Sequence, residues 1–95
     1  MRIGTTRAFR EWIDSLRDLI GRARIQARIE RLASGNPGVY RVLSDGVCEL
    51  KIDTGPGYRV YYVQRGRMMI VLLAGGNKST QREDIARALV LARNL

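Results

Sequence analysis

The chain predicts an α+β domain: two N-terminal helices packed as a hairpin, an antiparallel sheet of about four to five strands, and a closing C-terminal helix. Three observations predict it. Apolar residues recur at helical spacing through residues 9–32, follow strand spacing through 39–74, and return to helical spacing after Thr80. The 95 residues suit a single domain spanning 1–95, with no repeat or long linker.

A short strand at Met1 to Gly4 opens the chain, and Thr5 or Thr6 supplies an N-cap for a helix carrying Phe9, Trp12, Ile13 and Leu16. Gly21 is expected to break that pattern. The second helix turns Ile25, Ile29 and Leu32 inward and Arg24, Arg28 and Arg31 onto another face. It ends at Gly35-Asn36-Pro37-Gly38, a cluster that neither helix nor strand tolerates. Strands follow at about Val39 to Leu43, Val47 to Asp53, Tyr58 to Gln64 and Arg67 to Ala74, joined closely enough to form a meander. The apolar run Met68 to Leu73 suits a central strand. Thr80 and Glu83 fit a capping box for the last helix, whose stripe of Ile85, Ala88, Leu89 and Ala92 lies on the sheet. The helices are expected to cover one face and leave the other open.

Strand parity places Glu49, Lys51 and Asp53 on one face and Leu50 and Ile52 on the other; Arg59 and Tyr61 alternate with Val60 and Tyr62 in the same way. The expected register sets Asp53 opposite Arg59 and Lys51 opposite Tyr61, with residues 54–58 connecting. Pairing Asp53 with Tyr58 instead would turn Arg59 to the apolar side, at a desolvation cost. Arg59 also lies within reach of an ordinary cross-strand ion pair with Asp53 or Glu49.

Charge narrows the partner. The chain carries 17 Lys plus Arg against 9 Asp plus Glu, a net charge of +8, so an acidic partner is expected: nucleic acid, an anionic membrane or an acidic protein. Only Lys51 and Lys78 are lysines, and the arginine fork suits phosphate. No apolar run approaches the roughly twenty residues of a membrane span, and no signal-peptide core follows Arg2, so a cytoplasmic chain is expected. Cys48, the lone cysteine, reads as a small buried hydrophobe, and with no histidine present no structural metal or cofactor is expected.

Cleaving RNA without a metal requires a proton acceptor for the ribose 2′-hydroxyl, cations on the phosphate and a proton donor for the leaving oxygen. Glu49 is a candidate base if its pKa is raised, and Lys51 if neighbouring arginines lower its own. Lys51, Arg59 and Lys78 are candidate phosphate clamps, and Tyr61 a stacking group or proton donor. Arg24, Arg28, Arg31 and Arg82 are candidate RNA contacts. A binding face without catalysis would use the same residues.

The segments GVCELKID, GPGYRVYY and LLAGGNKSTQREDIARA, with the upstream ARIQARIERLASGN and the opening FREWIDSLRD, resemble the RelE/ParE superfamily of bacterial toxins across nearly the whole chain. The resemblance is closest to the HigB-like branch of addiction-module killer proteins. It implies a RelE-like fold with two N-terminal helices, a curved antiparallel sheet and a C-terminal helix. It also implies a type II toxin that cuts messenger RNA on the translating ribosome and is held inactive by a co-encoded antitoxin, commonly of helix-turn-helix type. The basic cleft of RelE-like toxins corresponds to Lys51, Arg59 and Lys78. Well-known RelE members carry a tyrosine early in the final helix; residues 81–85 have none, leaving Glu49, Tyr61 or electrostatic stabilisation to serve. ParE-like members share the fold yet inhibit DNA gyrase, and a non-catalytic nucleic-acid-binding module is the third reading.

Overall fold

The computed structural model describes residues 1–95. Elements run β1 (Arg2–Thr5), α1 (Arg7–Ser15), α2 (Leu19–Ala33), β2 (Tyr40–Val42), β3 (Val47–Ile52), β4 (Tyr58–Arg65), β5 (Met69–Asn77), a 3-10 turn (Lys78–Thr80) and α3 (Gln81–Arg93). The α+β class holds, but the sheet is mixed. Its order is β1-β5-β4-β3-β2, and while β2 to β5 form the expected meander, β1 pairs parallel to β5.

The N-terminal helices do not form a hairpin. Thr6 caps α1, its hydroxyl accepting from Phe9 N–H at 3.1 Å. The chain breaks at Leu16, not at Gly21, because Asp18 starts a new helix: its carboxylate accepts from Gly21 N–H at 2.9 Å and from the Tyr58 hydroxyl at 2.8 Å. Gly21 lies inside α2, where an added Cβ would strike Asp18 and the Tyr58 ring. The apolar face of a five-stranded sheet is wide enough for α1 to pack on β5 and α2 on β3 and β4, each by its own stripe.

Both sheet faces are covered, against the expectation of one open face. On one side Phe9 and Ile13 of α1 and Ile25, Ile29 and Leu32 of α2 pack on Leu50, Ile52, Val60, Tyr62, Ile70 and Leu72. On the other, Ala88 and Ala92 of α3 pack on Val47, Tyr61, Val63, Val71, Leu73 and Ala74. A β-bulge between the Tyr61–Ala74 and Tyr62–Leu72 pairs leaves Leu73 unpaired. Leu73 and Ala74 therefore turn to the same face, which interrupts alternation within the apolar run and bends the sheet.

The β3–β4 register differs from the expected one by two residues: Lys51 faces Arg59, Glu49 faces Tyr61, and residues 53–57 connect. Gly55 and Gly57 at φ 54° and 78° make the tight turn, closed by Gly57 N–H to Thr54 O at 3.1 Å. A shift of two leaves parity intact, so the expected residues still share a face. The capping box also moves one element upstream. Asn77 Oδ1 accepts from Ser79 N–H, Thr80 Oγ1 accepts from Asn77 N–H, and Thr80 makes no cap bond to α3.

Candidate functional site

Parity places Glu49, Lys51, Arg59 and Tyr61 on the face that α3 covers, and α3 divides them into two groups. Glu49 and Tyr61 lie under its first turn, 3% and 0% exposed. The Glu49 carboxylate accepts from Arg41 Nε at 2.8 Å, Tyr61 OH at 2.9 Å and Gln81 Nε2 at 2.8 Å. One buried anion thereby joins β2, β3, β4 and α3. Burial pushes the Glu49 pKa up, but the hydrogen bonds from Gln81, Arg41 and Tyr61 together outweigh it and hold the carboxyl below its ordinary 4.5. Burial and the Glu49 carboxylate push the Tyr61 phenol well above the usual tyrosine range. Both shifts run opposite to what a proton acceptor or donor needs near neutral pH.

These shifts set an expected pH profile. Folded Glu49 holds its proton less readily than the unfolded chain, so its stabilisation is complete above 4.5 and drains away as the pH falls through its lowered value. Asp18, held below its ordinary 3.8 by the Gly21 N–H and the Tyr58 hydroxyl, acts in the same direction. The melting temperature should be flat above about pH 6 and fall steeply below about pH 4. Glu49→Gln should melt lower at neutral pH, with a shallower acid decline; an acid decline as steep as the parent's would contradict this assignment.

The second group lies at the turn end of the hairpin. Arg59, expected to be exposed, is 6% exposed and forms no ion pair. Its Nη1 donates to Gly57 O at 2.8 Å and Tyr58 O at 3.3 Å, and its Nε is buried without a partner. Lys51, directly opposite, and Lys78, on the 3-10 turn, are both exposed. A Cβ built on Gly57 would lie 3.2 Å from Arg59 Nη1 and 3.5 Å from Lys78 Cβ, so Gly57 is the point where the turn, Arg59 and the Lys78 stem meet. Like charges facing each other across a ladder are unfavourable, as is a buried guanidinium without a counter-ion. Arg82 is exposed in the first turn of α3, just beyond Lys78.

Sequence reasoning missed Asp84. Its carboxylate stands over Gly76, where even a Cβ would collide with it, and Oδ2 accepts from Thr80 Oγ1 at 2.5 Å. Gly76 faces Arg59 across the β4–β5 ladder, so Asp84 is the α3 carboxylate overhanging the cationic cluster. The Gly75-Gly76 pair was the available signal. Two glycines in a buried strand mark close approach from both sides, with Trp12 over Gly75 and Asp84 over Gly76.

The arginines of α2 divide as well. Arg24 and Arg31 are exposed. Arg28, half-buried, donates from Nη1 to Lys51 O at 2.7 Å and from Nη2 to Pro37 O at 2.9 Å and Val39 O at 3.1 Å. It clamps the β2–β3 end against α2, and its donors are not free to track a ligand as the helical spacing suggested. Cys48 is half-buried beside Tyr62, and burial pushes its thiol up, in keeping with a packing residue. No helix is long and apolar enough to cross a membrane.

Comparison with known proteins adds two findings. The profile of the family described as "Phage derived protein Gp49-like (DUF891)" matches residues 9–94, nearly the whole chain. A protein of Haemophilus influenzae that carries only the description "Uncharacterized protein" is 45% identical over 95 residues, covering 100% of this chain and 96% of the relative.

Proposed function

The chain belongs to the Gp49-like phage-derived family, a RelE-like family of toxin–antitoxin systems, and from that premise we propose that residues 1–95 form a toxin domain that cleaves messenger RNA on translating ribosomes. The observation that carries this reading is Arg59: a guanidinium 6% exposed, without a carboxylate partner, facing Lys51 and adjoining Lys78. Buried charges are ordinarily paired, and an unpaired one costs stability. The three cations around one turn form no ion pair, and Asp84 is the one carboxylate that overhangs them, so the cluster carries more positive charge than it offsets and lacks a further negative charge. A phosphodiester fits the arginine fork and supplies that charge.

In the proposed reaction the 2′-hydroxyl gives its proton to a carboxylate as its oxygen attacks the adjacent phosphorus, and the P–O5′ bond breaks to leave a 2′,3′-cyclic phosphate. The departing O5′ takes a proton from water, and Arg59, Lys51 and Lys78 stabilise the charge growing on the phosphoryl oxygens. Asp84 replaces Glu49 as the candidate proton acceptor, because it overhangs the cluster whereas Glu49 is locked beneath α3. Tyr61 and Glu49 act by holding α3, and hence Asp84, over the cations. The ribosome orders the RNA, a contribution that a small basic face cannot make alone. The HigB-like branch and a helix-turn-helix antitoxin with an acidic segment over Lys51 and Lys78 complete the proposal, as does action in the cytoplasm, where translating ribosomes are.

Expression without antitoxin tests it. Growth should stop, and new transcript 5′ ends should fall within translated codons. Asp84→Asn should lower cleavage by about a hundredfold, the range for a lost general base. Intact transcripts accompanied by trapped gyrase–DNA complexes would instead identify a ParE-like gyrase inhibitor and end the nuclease reading.

A further inference from the structure

We propose that the cleft between α2 and the β3–β4 turn is a second phosphate-binding site, which takes a backbone phosphodiester of single-stranded RNA. The inference rests on the RNA reading above and concerns the opposite face of the hairpin. The cleft has a volume of about 340 Å³ and is lined by Arg24, Arg28, Arg31, Ile52, Asp53 and Thr54.

Three arginines meet there, and none forms an ion pair, although Asp53 borders the same space. Arg28 is the fixed element. Three backbone carbonyls hold its two terminal nitrogens, and its Nε is buried with no partner, so the charge at the cleft floor cannot swing out to water. Partial burial, together with the nearby Arg31 charge, pushes its pKa below the ordinary value, in keeping with the like charges that meet in the cleft. Arg24 and Arg31, one helical turn before and after, are exposed and free to close on a ligand from either side. With Asp53 opposing three guanidiniums, the cleft keeps an excess of positive charge that an anion would offset.

The position of the cleft favours a polynucleotide over an isolated anion. Lys51 and Ile52 are successive residues of β3 and point to opposite faces, so the cleft and the Arg59 cluster lie on the two sides of one hairpin end. Arg28 itself bonds to Lys51 O. A strand of RNA crossing the turn at residues 53–57 meets both sites, with successive phosphates as the repeating charge.

The test uses fluorescence anisotropy on the full chain with a 12-nucleotide 2′-O-methyl RNA, which binds but cannot be cut. Arg24→Ala combined with Arg31→Ala should weaken binding about tenfold. It should also lower the slope of log affinity against log salt by about 1.4, the value for two single-strand phosphate contacts. Both arginines are exposed, so thermal melts should show the fold unchanged. Unaltered affinity and slope would overturn the proposal. Displacement of the RNA by polyglutamate from the parent but not from the double variant would also overturn it, by identifying an acidic-peptide site. If the double variant loses affinity while Arg59→Met binds as the parent does, the cleft stands and the cleavage-centre reading fails.

Discussion

Arg59→Met should abolish toxicity and leave a protein at least as stable as the parent. The two effects have one cause. In the absence of ligand Arg59 is a buried cation with an unsatisfied Nε, facing Lys51 across the ladder. Methionine has similar length, fills the same space and removes both the unpaired charge and the cross-strand repulsion. Replacing buried charge with an apolar isostere is commonly neutral or stabilising by about 1–4 kcal/mol. The lost bond to Gly57 O offsets part of that, so the melting temperature should stay level or rise by a few degrees, at about 4–8 °C per kcal/mol for a domain of this size. Activity should fall by about a hundredfold to a thousandfold, the effect of deleting one preorganised charge-stabilising donor. Growth assays and calorimetry on the same variant provide the check. A toxic Arg59→Met removes the residue from the mechanism, and a strongly destabilised one assigns it to the fold.

Glu49→Ala should do the opposite, unfolding the protein while touching no proposed reacting group. Its carboxylate is the shared acceptor for Arg41, Tyr61 and Gln81, and the Tyr61 hydroxyl has no water to turn to at 0% exposure. Truncation leaves a buried hydroxyl and an amide unpaired and a cavity beside α3, a loss of about 3–5 kcal/mol. Adding Tyr61→Phe to Glu49→Ala removes one of the stranded donors and should recover about 1–2 kcal/mol, a coupling that denaturant melts of the four-variant cycle measure. Additive single effects would mean that the network is not the unit described. Activity loss in Glu49→Ala should track the unfolded fraction, since α3 carries Asp84 to its position over Gly76.

The contrast between these two residues shows where sequence reasoning stopped. Period-2 parity correctly grouped Glu49, Lys51, Arg59 and Tyr61 on one face, and helical spacing correctly turned Phe9, Ile13, Ile25, Ile29 and Leu32 inward. Parity is blind to a two-residue slip, however, so Arg59 was expected opposite Asp53 with a ready ion pair, when it faces Lys51 instead. The second error concerned α3. Its stripe of Ile85, Ala88, Leu89 and Ala92 lies on the sheet as expected, but spacing shows only that a helix packs on a sheet and not on which face, so the face that α3 covers was expected to be open. Charged residues at strand positions ordinarily point at solvent, and Glu49 and Arg59 do not. Burial of Glu49 and Arg59 depends on long-range packing of residues 81–93 over residues 47–63, which no local pattern encodes. The missing N-terminal hairpin has a similar origin: apolar spacing identifies an inward face but not whether a helix or a sheet receives it.

On the proposed reading, the local rules broken at Arg59 and kept at Glu49 divide the covered face into a site and its support. Natural chains tend to violate such rules where function requires it, and a like-charge ladder pair next to a buried guanidinium with an unsatisfied Nε is such a violation, offset only by the Nη1 bonds to Gly57 O and Tyr58 O. That asymmetry is why the anion-site reading stands on Arg59 and not on the arginine excess alone.

On the proposed reading, Arg59 is kept buried and without an ion-pair partner in order to receive a phosphate. Side-chain ¹H–¹⁵N spectra that resolve the Arg59 Nε–H report on that atom directly. As a non-cleavable RNA oligonucleotide is titrated in, the Arg59 Nε resonance should move and saturate with the binding curve. A resonance that stays in place while the RNA binds elsewhere on the molecule would contradict the account.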